Sequence, residues 1–205
     1  MSLADARDSV RARLREATRD VHERMHGHAG FAAVAAGAAN RPDYTRVMAR
    51  LWGFHAPFDA QIEAAVTRLS LPLDSAAYAR AQHIRADLVW LGLSEADIAA
   101  LPRCAALQPP ASAAELFGAL YVIEGSTLGG VQMARALAPM LAAQGAGGSD
   151  GRRFFLGHGQ SHGAMWRGFL AKLEEAAADP ADSRRIVAGA QRTFGVFEDW
   201  MSGWR

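Results

Sequence analysis

The chain contains one cysteine, Cys104, so no internal disulfide can hold its fold. No run of about 18 consecutive apolar residues occurs, the length that a membrane-spanning helix needs. Excess charge is almost absent as well. The 22 basic and 21 acidic residues leave a net charge of +1 and a pI near 8.0, which excludes the basic footprint of a nucleic-acid binder. The opening segment, MSLADARDSVRARLREATRD, has no apolar core and carries Asp5, Asp8, Glu16 and Asp20, so it reads neither as a secretory signal nor as a transit peptide. Alternating apolar and polar positions are missing too, which leaves no clear strand. The expected compartment is the cytoplasm.

Helical spacing is what the chain does have. Half of its 205 residues are apolar, enough for one domain with a full core over residues 1–205. A first helix is expected from about Ala4 to His26, with Leu14, Thr18, Val21, His22 and Met25 on one face. A short helix over Phe31 to Ala36 follows. Asn40 and Pro42 open a long helix to about Leu69. Ser75–Leu91 and Ser94–Ala100 are further helices, the second with Ser94 and Asp97 spaced as a capping box. Pro102 to Pro110 is a linker within the domain. Ala113 to Ala143 is a long helix and Gln144 to Asp150 a flexible loop. Phe154 to Gln160 is irregular, a helix runs on to about Ala178, and Pro180 opens the last one. The expected class is all-α.

Within the Ala113–Ala143 helix, the segment Tyr121 to Gly130 (YVIEGSTLGG) breaks the usual composition of a helix interior. Each glycine there costs about 1 kcal/mol relative to alanine. Gly125 and Gly129 are four apart, as are Ser126 and Gly130, so small residues share one face. A bare face of this kind accepts either a flat ligand or a closely packed second helix.

Seven histidines offer metal ligands: His22, His26, His28, His55, His83, His158 and His162. His22 to His26 reads HERMH, a formal H-E-x-x-H zinc motif, but no third ligand follows at a suitable spacing and no sheet precedes it. Glu23 and His26 make one E-x-x-H, where a di-iron carboxylate site needs two such pairs.

Two stretches together suggest a third chemistry. LREATRDVH (Leu14 to His22) resembles the start of heme oxygenases, and YVIEGSTLGG resembles their distal helix. The likeness is greatest to bacterial biliverdin-forming members associated with bacteriophytochromes. Weaker echoes lie in RRFFLGHGQSHGAMWRGFL and TFGVFEDW. The resemblance implies a heme-oxygenase-like helical bundle, with heme between the first helix and a kinked distal helix.

It also implies residue roles. His22 takes the place of the axial iron ligand. Gly129 and Gly130 match the paired glycines over the heme, and Gly125 matches the earlier distal glycine. Ser126 stands where the family often has an aspartate that holds water, and His26 stands where many relatives carry an acidic residue beside the proximal histidine. Arg15 and Arg19 match basic positions suited to propionates, with Arg167 and Lys172 as candidates for the opposite rim. Tyr121, one turn before Gly125, either faces the pocket or packs in the core. Phe194 and Phe197 are expected in the core.

The implied activity is oxidative cleavage of heme, both cofactor and substrate, by O2 and reducing equivalents to biliverdin, carbon monoxide and ferrous iron. Electrons would come from an external reductase or ferredoxin, and a bacteriophytochrome is a possible acceptor of the product. A non-catalytic heme-binding protein of the same fold is the main alternative. A non-heme relative of the thiamin-degrading type would need a cysteine in the pocket, and Cys104 is the one available.

Overall fold

Side-chain caps and apolar spacing together set where the helices begin. In the computed structural model, which describes residues 9–203, α1 spans Val10–His26, α2 Ala29–Ala35, α3 Arg41–Arg68, α4 Ala81–Trp90 and α5 Glu95–Ala100. Then come α6 (Ala113–Ala142), α7 (Arg153–Leu156), α8 (His162–Ala176) and α9 (Pro180–Ser202). The described residues contain no strand. The expected start of the first helix near Ala4 lies outside the described residues. Within them, Ser9 caps α1 by accepting from the Ala12 amide at 3.2 Å. Asn40 caps α3 from Asp43 at 2.8 Å, and Ser112 caps α6 from Glu115 at 3.2 Å. Ser94 and Asp97 form the anticipated capping box, and Asp179 caps α9 behind Pro180. Each such cap contributes about 1 kcal/mol.

Two stretches depart from the sequence expectation, and one kind of interaction explains both. Ser75 to Leu91 is not one helix. It is a 3-10 turn over Ser75–Tyr78, then a break, then α4. The amides of Arg80 and Ala81 both donate to the Asp59 carboxylate of α3 at 2.7 Å, so a residue far back in the chain restarts the helix. Similarly, the segment read as irregular contains α7, because Asp87 of α4 accepts from the amides of Arg153 and Phe154 at 2.9 Å. Burial pushes both carboxyls up to about 6 despite these hydrogen bonds. α4 is thus a strut, tied to α3 at one end and carrying α7 near the other.

The core has two parts. One gathers Leu14, Phe54, Leu116, Leu120, Phe169 and Ile186; the other gathers Tyr44, Met48, Ile84, Leu88, Leu137 and Met201. Phe194, Phe197 and Trp200 of α9 pack against both. α6 runs as continuous helix through its glycine segment and packs most extensively on α9. That crossing is close because Gly118 and Gly189 lack side chains. A Cβ at Gly118 would lie 2.1 Å from the Ile186 carbonyl oxygen, and one at Gly189 would lie 2.7 Å from that of Glu115. No helix among the described residues is long and apolar enough to cross a membrane.

Candidate functional site

α1, α2, α3, α6, α7 and α9 enclose a cleft with about 1060 Å³ of empty space, part of it open to solvent. His22 and His26 enter it from α1; Gly125, Ser126, Gly129 and Gly130 face it from α6. The apolar remainder includes Met25, Phe31, Met133, Phe154, Phe194 and Phe197. Phe194 and Phe197, expected in the core, do both jobs: they bridge the two core regions and line the cleft.

His22 is held by rings. Its imidazole meets that of His26 edge-on with centroids 4.5 Å apart, and that of Phe194 at 6.4 Å. Burial is the main cause lowering its pKa and His26 adds to it, so the ring is neutral at pH 7 and keeps a lone pair for a metal. His26 takes part through this contact, not as a carboxylate would.

The glycines of the α6 stripe divide into open and packed positions. A Cβ at Gly129 would meet nothing within 4 Å, and one at Gly125 only the Trp166 ring at 3.9 Å. These two leave a bare backbone face open to the cleft. Gly130 is different. Its Cβ would sit 2.5 Å from the Phe155 carbonyl oxygen, so α7 occupies the space that a side chain would need. Gly130 lines the cleft, but contact with another segment already accounts for its lack of a side chain. Ser126 donates its hydroxyl proton to the Ile123 carbonyl of its own helix at 2.7 Å, leaving its oxygen as an acceptor at the cleft surface.

The other anticipated residues lie around the cleft and not in its lining. Tyr121 turns to Trp166 of α8, with ring centroids 5.8 Å apart, and belongs to the packed core margin. Burial raises its hydroxyl pKa, opposed by the nearby Arg11 and Arg15. Arg15 is exposed on α1, and so is Arg19, which pairs with Glu16 one turn earlier. Arg167 and Lys172 are exposed on α8.

Sequence reasoning missed the buried polar side of the cleft. Arg80 and His55 line it, with 2% and 3% of their surface exposed. Arg80 Nη2 donates to Glu124 Oε1 of α6 at 2.5 Å, a pair shielded from solvent. His158 Nε2 lies 3.1 Å from Glu124 Oε2 and 2.6 Å from Arg80 Nη2. A single ring nitrogen cannot donate to the carboxylate and accept from the guanidinium at once, so these are alternative partners. Burial and then Arg80 lower the His158 pKa, which keeps it neutral. Burial, with Arg80 as a second cause, pushes His55 down to about 3. Two signals pointed this way. His55 takes a core position between Leu51 and Phe58 on α3, and Glu124 follows Val122 and Ile123 in an apolar stretch. Neither names its partner.

Other metal chemistries lack ligands. Among the described residues, no group of three or more His, Cys, Asp or Glu side chains could hold a metal ion, so neither zinc nor di-iron ligation has a site there. Cys104 is buried in the core, away from the cleft lining.

A helical chain whose first helix presents a neutral histidine to an apolar cleft, across which a long helix offers bare backbone, is of the heme-oxygenase-like class. The family model described as heme oxygenase matches residues 8–203, and the chain belongs to the heme oxygenase family. A heme oxygenase from Xanthomonas campestris pv. campestris is 40% identical over 97 residues, which is 47% of this chain and 56% of that relative's length. The chain thus matches little more than half of this curated relative. A heme oxygenase structure from Leptospira interrogans superposes with a TM-score of 0.71 at 16% identity, covering 95% of this chain and 98% of the other. Heme oxygenase-1 from the cyanobacterium Synechocystis, solved in complex with heme, gives 0.72 at 15% identity over 95% of this chain and 91% of its own. At these identities the superpositions establish the fold.

Proposed function

We propose that this protein binds heme in the cleft, with His22 on the iron, and cleaves it oxidatively to biliverdin, carbon monoxide and ferrous iron. The observation that carries the reading is the pairing of a neutral, cleft-facing His22 with the open backbone face at Gly125 and Gly129. The residues present fit the group: a planar macrocycle needs one imidazole and a surface without side chains, and both are here. Heme, when bound, supplies the iron at which O2 is activated and the ring that is opened.

The chain's own residues do the rest. His22 holds the iron as neutral imidazole, its ring fixed by His26 and Phe194. Gly125 and Gly129 let backbone approach the ring plane. Met133, Phe194 and Phe197 keep bulk water out. Arg15 and Arg19, with Arg167 from α8, are the proposed propionate partners, because guanidinium binds carboxylate bidentately. Ser126 offers a hydroxyl oxygen to water. The proposed electron source is an external reductase or ferredoxin, the proposed compartment the cytoplasm, and a bacteriophytochrome is a proposed acceptor of biliverdin.

The test is to add hemin, record the Soret band, then add ascorbate and follow the appearance of biliverdin absorption. His22→Ala is expected to abolish turnover, and added imidazole to restore part of it. A variant with the parent's ferric spectrum and rate would remove His22 from the iron. Stable hemin binding by the parent without biliverdin formation would instead support a non-catalytic heme-binding role.

A further inference from the structure

α1 presents a second imidazole to the cleft beside His22. His26, one turn further along, lines it too, and both side chains are exposed. Their rings meet edge-on at 4.5 Å, and among the described residues neither ring has a hydrogen-bond partner. A group that supports a metal-bound histidine accepts its other ring N–H, as a carboxylate or a backbone carbonyl does. The contact between the two rings supplies no such bond. By its contacts, His26 is an uncommitted imidazole of the same kind as His22.

The cleft is open over the same length. Gly125 and Gly129 are also one helical turn apart, and a Cβ on either would meet nothing closer than the Trp166 ring at 3.9 Å from Gly125. The bare face of α6 thus extends over about 5.4 Å, the rise that separates His22 from His26. α2, next after α1 in the chain, adds Phe31 and Ala35 to the lining, so the wall that follows His26 is apolar as well. Two imidazoles on one face of one helix cannot take both axial positions of a heme iron, because those lie on opposite sides of the ring plane. They are alternatives.

We propose that His26 is a second iron ligand, and that the cleft takes heme in two registers about one helical turn apart, with His22 on the iron in one and His26 in the other. The proposal rests on the heme-cleaving reading above and divides its site into two positions. His22 is steadied by Phe194 on its other side, at 6.4 Å between centroids, whereas His26 has no ring contact but His22 among the described residues. The His22 register places the iron more firmly and is the one assigned to turnover. The His26 register keeps heme bound without aligning it for cleavage.

The experiment is resonance Raman spectroscopy of the ferrous hemin complex without O2 or carbon monoxide, where five-coordinate iron on a histidine gives an iron–histidine stretching band. The parent, His22→Ala, His26→Ala and the His22→Ala/His26→Ala double variant are compared, with His26→Gln as a second substitution that removes the imidazole. Both positions are exposed on a helix, where alanine is favourable, so the variants are expected to fold. The band is expected in the parent and in each single variant, and absent from the double variant. Hemin affinity should stay within about tenfold of the parent in His22→Ala and fall by at least about a further tenfold in the double variant, which has neither ligand. Biliverdin formation should be lost in His22→Ala although the band remains.

His22→Ala without the band, or without hemin uptake, overturns the proposal. A band that persists in the double variant overturns it too, because another imidazole, such as His55, is then on the iron. A band kept in His22→Ala but lost in His26→Ala and His26→Gln makes His26 the sole ligand, which overturns the two registers and the assignment of His22 together. A parent that takes up no hemin sinks the heme-cleaving reading and the proposal with it, whereas a parent that binds hemin through His22 alone sinks the proposal and leaves that reading standing.

Discussion

The cleft has two unlike parts to its lining. One consists of His22 on α1 and Gly125, Ser126 and Gly129 on α6. It is largely exposed, with Gly125 half-buried, and among the described residues its side chains show ring contacts and one local hydrogen bond. The other consists of His55, Arg80, Phe154 and Phe155. It is mostly buried and braced by Asp59, Asp87, Glu124 and His158, from four separate segments. They meet where Gly130 lies against the Phe155 carbonyl. The first part can receive a ligand at little structural cost. The second holds its shape through interactions that are expensive to break. Substitutions in the second should therefore register in the empty protein, and substitutions in the first only when hemin is present.

The largest effect is expected from Arg80→Leu, which leaves Glu124 as an uncompensated buried carboxylate. Breaking such a pair from one side costs about 3–5 kcal/mol. Urea denaturation of the hemin-free protein measures it, and a loss under 1 kcal/mol would mean that the braced part is not braced by charge. Gly130→Val comes next. It forces a side chain against the α7 backbone, and overpacking should cost roughly 1–3 kcal/mol whether or not hemin is bound. A variant of parent stability that simply loses hemin would move Gly130 to the ligand-receiving part.

His55 allows a pH test of the same contrast. Burial, with Arg80 as a second cause, pushes its folded pKa down to about 3, below the ordinary histidine value of about 6.5. Its contribution to stability is therefore fully present above pH 6.5 and lost as pH falls from there towards 3. The stability of His55→Leu relative to the parent should accordingly improve by about 2 kcal/mol between pH 8 and pH 5, from 1.5 pH units at 1.36 kcal/mol each. Denaturation curves at the two pH values give the difference; equal differences at both would show that folding leaves the His55 pKa unchanged. Asp59 and Asp87, raised to about 6, contribute in the opposite sense over roughly pH 4 to 6, but equally in parent and variant.

Gly129→Val should leave the hemin-free protein as stable as the parent or more so by a few tenths of a kcal/mol, since valine is the better helix former. Hemin affinity should fall, because the added carbons fill the open face. Paired melting curves with and without hemin measure this, and a destabilised apo-protein would break the comparison. The smallest effect is expected for Ser126→Ala. It removes one hydrogen bond within α6 and should change stability by less than about 1 kcal/mol, with turnover as the more sensitive readout.

The local rules were legible in the chain. Asn40, the Ser94–Asp97 box and Pro180 each act within one turn of themselves, so reading outward from them locates the helices they open. His22 and the glycine segment were legible for the same reason: their spacing along one helix fixes which of them share a face. Reading failed where a cap came from elsewhere. Asp59 restarts the chain at Ala81 and Asp87 nucleates α7, and nothing near either amide in sequence announces the carboxylate.

Glycine shows where the boundary falls. Gly125, Gly129 and Gly130 look alike in sequence, since absence of a side chain says only that something needs the room. Tertiary structure decides what that is: open cleft at Gly129, the Phe155 carbonyl at Gly130. The charges behave likewise. The sequence by itself determined that Glu124 sits in an apolar stretch and that His55 occupies a core position. Only the packing of α3, α4, α6 and the turn over 157–161 decided that Arg80 would neutralise the one with His158 beside it, and that the other would face the cleft with Nδ1 unpaired. A helix pattern is fixed by neighbours three and four residues away. A buried charge is satisfied by whichever segment folding brings against it.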